Sequence, residues 1–204
     1  PTLLDITGVS HPTGLDGRSF APLLKGQSQA DREVVVKEYN ENAGGSRDPM
    51  RAIETKRFLY VFNPWSNGQR IMQTATTGTP TYRRFRDLAQ SDPQLAARHK
   101  VYQFRTVEEL YDVERDPDCL KNLIDDSTYA GERDKLRQTL DSWMVKTVDP
   151  MLEVFRNRND AAFREAYVQA QEREADERRA DGGKKVAKKG KGKAKAARRV
   201  NDGC

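Results

Sequence analysis

The sequence predicts an α+β fold. A small antiparallel sheet of about four strands carries a packed C-terminal helix, followed by a long charged helix and a disordered basic tail. Three observations predict it. Short β-branched and aromatic runs recur at Arg32–Tyr39, Met50–Thr55, Arg57–Asn63 and Glu108–Val113, separated by turn-forming residues. In Gly131–Thr147 the side chains Leu136, Leu140, Trp143, Met144 and Thr147 recur at helical spacing. Charge is divided unevenly: Lys184–Arg199 holds seven Lys, two Arg and no acid, so of the net +5 it carries +9 and leaves −4 for the rest.

At 204 residues the chain is sized for one domain with tails, and 33% charged against 36% apolar residues means that part of it builds no core. Residues 1–30 read as an apolar helical turn ending near Gly8, then a Gly- and Pro-rich connecting loop. Residues 31–150 hold the strands and the best helix, 151–181 form a charged helix that projects from the body, and 182–204 form the Lys/Ala-rich tail, which cannot bury enough apolar surface to order itself. Strand 57–63 alternates Phe58, Tyr60 and Phe62 with Leu59 and Val61. Both faces are apolar, so one is expected to meet this chain's helices and the other a partner. Tyr82–Lys100 is predicted helical with a break at Ser91-Asp92-Pro93, because proline is tolerated at a helix's first turn. After the fourth strand comes a turn at Asp116-Pro117, with Leu120 and Leu123 re-entering the core and the segment's acids left solvated.

Chemistry-bearing residues are sparse. The two histidines, His11 and His99, lie far apart with no ligand spacing, and Cys119 and Cys204 have neither metal nor redox spacing. No run is apolar and long enough to span a membrane as a helix. The chain opens at Pro1 without methionine or leader, which reads as a truncated start. The polar loop after the first strand offers Tyr39, Glu41 and Asn42, with Arg51 beyond it, as substrate-binding candidates. Arg51 has two readings: a fork for a sulfate or carboxylate, or a structural partner of a nearby acid. Trp65 either stacks on a sugar ring or is packed away from solvent. Asp112, Arg115 and Asp116 read as a strand end and turn rather than an acid–base cluster. The tail's nine cations in sixteen residues suit a polyanion, with no aromatic residue to read bases. An incidental solubilising tail is the other reading.

Several segments, in order, resemble one family. Pro1–Ile6, Gly14–Phe20 and Leu23-Leu24 are similar to a "PTLLDLAG…LDGRSLLPLL" stretch of the sulfatases, within the alkaline-phosphatase-like superfamily. Arg51–Tyr60 resembles their "RAVRTKRYKYI" strand pair, and Glu108–Leu123 their C-terminal "ELYDL…DP…E…NL" segment. Asp48–Arg51, Thr79–Tyr82 and Arg105–Asp112 look most like the heparan N-sulfatase (N-sulfoglucosamine sulfohydrolase) branch. The resemblance implies the C-terminal part of a hydrolase of sulfate esters or sulfamates on a sulfated, heparan-like sugar, completing an α/β sulfatase fold. It implies a formylglycine nucleophile, made from Cys or Ser in C/S-x-P/A-x-R, and a calcium ion held by Asp and Asn. It also implies a periplasmic or extracellular setting. The cysteine form, C-x-P/A-x-R, does not occur in this sequence, where Cys119 precedes Leu-Lys-Asn-Leu; the serine form occurs once, at Ser28-Gln29-Ala30-Asp31-Arg32 in the connecting stretch before the first strand. Because the resemblance is to the family's C-terminal part, nucleophile and calcium ligands are expected outside this chain, in an N-terminal catalytic domain that would be its partner, and this chain alone is expected to be inactive. A non-enzymatic polyanion-binding protein acting through the tail is the alternative.

Overall fold

A computed structural model describes residues 1–30, 32–41, 47–72 and 74–180. Asn42 and the basic tail lie outside the described residues. The chain divides into two compact units, Pro1–Val35 and Val36–Cys204.

In the first unit, α1 (Thr2–Thr7) is closed by Gly8, whose φ of 69° is a left-handed cap that glycine adopts without steric cost. A single turn, α2 (Ala21–Leu24), follows within the stretch expected to be loop. Its Phe20-Ala21-Pro22 start carries the signal, since Pro22 sits in the first turn, where no helical N–H is lost. The Thr2 hydroxyl accepts from the Phe20 amide at 3.1 Å and ties the two helices together. Leu3, Ile6 and Leu24 remain 77%, 59% and 65% exposed.

The second unit is built on a sheet of order β1-β2-β3-β4, formed by Val34–Tyr39, Met50–Thr55, Phe58–Phe62 and Glu108–Asp112. β2–β3 and β3–β4 are antiparallel, with Ile53 opposite Tyr60 and Tyr60 opposite Leu110. That register puts Ile53, Phe58, Tyr60, Phe62 and Leu110 on one face. Against it pack Leu136, Leu140 and Met144 of α5 (Ala130–Thr147), and Val154 and Phe155 of α6 (Leu152–Arg156). Phe155 meets Phe62 edge-on at 5.2 Å between ring centroids. Trp143 is partly buried against this core, whereas Thr147 is exposed. On the opposite face Val61 is buried and Leu59 half-buried, so this side is more covered by the chain itself than its apolar sequence predicts.

Between β3 and β4 stand α3 (Pro80–Leu88) and α4 (Pro93–Phe104), each with proline in the first turn. Thr79 caps α3 by accepting from the Tyr82 amide at 3.2 Å, and Asp92 caps α4 by accepting from Gln94 and Leu95. This is the predicted break at Ser91–Pro93. A last helix, α7 (161–180), starts after Asp160, whose carboxylate accepts from the Ala162 and Phe163 amides. The charged stretch after 150 is thus two helices. It does not project: Val168 and Ala175 are buried, and Arg70 forks onto Glu165 at 2.6 and 2.7 Å. Its few apolar anchors are supplemented by arginines from the loops around β2 and β3, which a local reading does not pair with it.

The segment after β4 also differs from expectation. Leu123 is buried, but Leu120 is 66% exposed. The Asp116 carboxylate accepts from the Leu120 and Lys121 amides, so the turn is held by a side chain and Leu120 is left outside. Nor are the acids all solvated. Glu109 and Asp112 are buried. Asp112 accepts from Arg57 at 2.8 and 3.0 Å, while Glu109 receives Arg105, the Tyr111 hydroxyl and the Asn63 amide. Buried carboxylates need such partners, because losing water without them costs several kcal/mol.

Candidate functional site

β1 ends at Tyr39, and the chain leaves the sheet through Asn40 and Glu41. Tyr39 is half-buried, and burial, then the nearby Asp48 charge, raises its hydroxyl above the ordinary tyrosine range. Glu41 is exposed and shared by Arg47, whose Nε is at 3.0 Å, and Arg178 of α7, whose Nη2 is at 2.6 Å. Arg47 also reaches Gln171 of α7 at 3.2 Å.

Arg51 is the second residue of β2, and its side chain is turned inward. It is 1% exposed. Its Nε and Nη2 donate to Asp149 at 2.6 and 3.2 Å, and its Nη1 donates to the Asn40 side chain and the Met50 carbonyl, both at 2.9 Å. Of the two readings of Arg51, the geometry is that of an arginine paired with an acid. Asp149 sits in the α5–α6 turn and also accepts from the Met151 amide at 2.7 Å. The pair therefore fixes both the sheet's β1–β2 end and the helix turn packed on it. Tyr39 and Glu41 flank the same loop, and Arg51 braces it from below. Sequence reasoning missed Asp149, which lies 98 residues away; only its place just past the best helix could have signalled it.

A second polar network surrounds Glu108. Arg137 of α5 forks onto it at 2.7 and 2.8 Å, and the Tyr60 hydroxyl donates at 2.5 Å. Burial, reinforced by the Glu108 charge, pushes Tyr60 well above its usual range, so it stays protonated as a donor. Trp65 is fully buried rather than presented on a loop.

Among the described residues no group of three or more His, Cys, Asp or Glu could hold a metal ion, so they do not fit the calcium that the family resemblance implies. The Cys119 thiol is raised by burial and by Asp116, the opposite of an activated nucleophile.

No protein-family model matches the chain. It is 32% identical over 155 residues to an ulvan-active sulfatase of Formosa agariphila, covering 75% of this chain and 29% of that protein. The matched stretch is similar to sulfatases, and the sulfatase family is the one these relatives support. A Δ4,5-hexuronate-2-O-sulfatase of Bacteroides thetaiotaomicron is 25% identical over 150 residues, with 73% of this chain and 23% of the relative covered. A solved 2-O GAG sulfatase aligns with a TM-score of 0.48 at 23% identity, over 77% of this chain and 25% of that one. The chain thus spans under a third of the length of these sulfatases. No helix among the described residues is long and apolar enough to cross a membrane.

Proposed function

We propose that this chain is the C-terminal part of a sulfatase that hydrolyses sulfate groups on a sulfated sugar, and that it supports the substrate cleft without supplying the nucleophile. The observation that carries the reading is the 155-residue match to an ulvan-active sulfatase, confined to 29% of that protein. The sequence holds no C-x-P/A-x-R, which is consistent with a cysteine-derived nucleophile placed elsewhere. In this reading residues 31–150 are the sulfatase C-terminal subdomain. The N-terminal catalytic domain is its partner, and the formylglycine and calcium ion implied by the family resemblance would be held there, the ion supplying positive charge to the sulfate site.

Tyr39, Glu41 and Asn42 are the substrate contacts of this reading. Arg51 acts through them, as a positioning residue that holds Asn40 and the strand end. The finer assignment, an N-sulfated heparan-like substrate, rests on the similarity of Asp48–Arg51, Thr79–Tyr82 and Arg105–Asp112 to that branch. The parent protein containing this chain, assayed for sulfate release against O- and N-sulfated sugars, tests both levels. Release from any O- or N-sulfated sugar supports the family-level activity, and preference for N-sulfated glucosamine supports the finer one. Release from none contradicts the reading. Polyanion binding through the basic tail is the second reading, favoured by nine cations in sixteen residues. Deleting residues 184–204 should abolish heparin binding if that reading holds.

A further inference from the structure

The hairpin of α3 and α4 carries a feature that neither network above uses. Five cations, Arg83, Arg84, Arg86, Arg98 and Lys100, face two acids, Asp87 and Asp92, in this stretch. Arg98 is committed, donating to the Cys119 and Asp118 carbonyls at 2.9 Å. Arg86 of α3 and Lys100 of α4 are exposed and both line an open cleft of about 310 Å³. The small side chains of Ala89 and Ala96 also line it, and no acidic residue does. Arg86 does hydrogen-bond its exposed neighbour Asp87 at 3.0 and 3.1 Å, but a surface pair of this kind is weak and easily exchanged.

The polar part of the remaining lining is Gln90, in the turn after α3, and Gln103 and His99 of α4. His99 is held in place by the Tyr82 hydroxyl at 3.1 Å and by the edge-on Phe85 ring, so the cleft wall is preformed. Two cations, one from each helix, suit one oxyanion, since guanidinium and ammonium groups both make charge-assisted hydrogen bonds. Two amides, each donor and acceptor, suit hydroxyl groups at a fixed distance from that anion. The volume falls at the small end of ligand sites, which run roughly 300–1,000 Å³. No Phe, Tyr or Trp lines the cleft, so it lacks the stacking platform on which single-stranded nucleic acids depend.

We propose that the α3–α4 cleft binds a sulfated sugar unit, with Arg86 and Lys100 on the sulfo group and Gln90 and Gln103 on ring hydroxyls. The choice of a sulfated sugar among anions rests on the function proposed above. The test uses the full chain and the ring-proton NMR signals of its two histidines, with His11→Gln to assign them. A sulfated disaccharide should shift the His99 signals saturably and leave His11 unchanged. Arg86→Gln/Lys100→Gln should weaken that response about tenfold, as expected for losing two partly screened contacts to one charge. Lys184→Gln/Lys185→Gln in the tail should leave it unaltered. A His99 signal that stays fixed at saturating disaccharide, or a double variant that responds like the parent, overturns the proposal. So does equal or tighter binding of inorganic sulfate, of the desulfated disaccharide or of a single-stranded oligonucleotide. If the parent releases no sulfate while His99 still responds, the cleft stands and the enzymatic reading falls. Turnover with a silent His99 gives the reverse.

Discussion

At the scale of single residues, the decisive pair is Arg51–Asp149. Both side chains are at most 2% exposed, and their fork spans 98 residues of sequence. Removing one partner of a buried pair strands the other charge, at a cost of about 3–5 kcal/mol. Asp149→Ala should therefore lower the melting temperature sharply, and Arg51→Lys should recover little, because an ammonium cannot fill a bidentate acceptor. Chemical denaturation with both variants checks this. Glu165 gives a pH signature. Its hydrogen bonds from Arg70 hold its carboxyl down at about 2, against 4.5 for an unperturbed glutamate. A folded-state pKa below the unfolded one adds stability at higher pH and loses it as pH falls. The difference in melting temperature between the parent and Glu165→Gln should be full above about 4.5 and gone by about 2. A difference that is flat across this window would dispose of the assignment.

At the scale of elements, the segment after β4 shows how an edge strand is finished. Asn122 behaves as a short substitute strand: its Oδ1 accepts from the Leu110 and Ile124 amides, at 2.9 and 3.1 Å. Its Nδ2 donates to the Glu108 carbonyl at 3.3 Å, and the Leu123 amide donates to the Leu110 carbonyl at 2.8 Å. The edge groups of β4 are thus satisfied without a further strand. Asn122→Ala leaves two amides without their acceptor and should cost about 2 kcal/mol, while Asn122→Asp, which keeps the acceptor, should cost less. α5 ends differently, with Val148 at φ 54° and 85% exposed. A β-branched residue in the left-handed region is strained. Val148→Gly should stabilise the protein by about 1 kcal/mol, read as a rise in melting temperature.

These elements also mark what the sequence could and could not disclose. The strand runs, the proline starts of α3 and α4 and the apolar stripe of α5 are local patterns, and each was legible. The burial of Glu109 and Asp112 was not, because a carboxylate is buried only where distant arginines arrive to meet it. α7 was misjudged for the same reason, as its docking arginines come from positions near 47 and 70. In the candidate site the loop after β1 was visible in sequence. The inward turn of Arg51 was not, since Asp149 is remote from it in the chain.

At the scale of the molecule, the two units differ in how well they bury their apolar residues. Val36–Cys204 has a continuous core from Ile53 to Phe155. Pro1–Val35 leaves Leu3, Ile6, Val9 and Leu24 exposed, a density that marks a surface meant to be covered. In the proposed function this covering comes from the catalytic domain. The chain by itself should then bind a hydrophobic dye and associate at modest concentration; Leu3→Lys/Leu24→Lys should suppress both, as followed by light scattering. The measurement that tests the central claim most directly is sulfate release by the parent protein from a panel of O- and N-sulfated sugars. The proposed function predicts release by the parent and none by the 204-residue chain alone. A parent inactive on every member, or a chain that releases sulfate unaided, would contradict it.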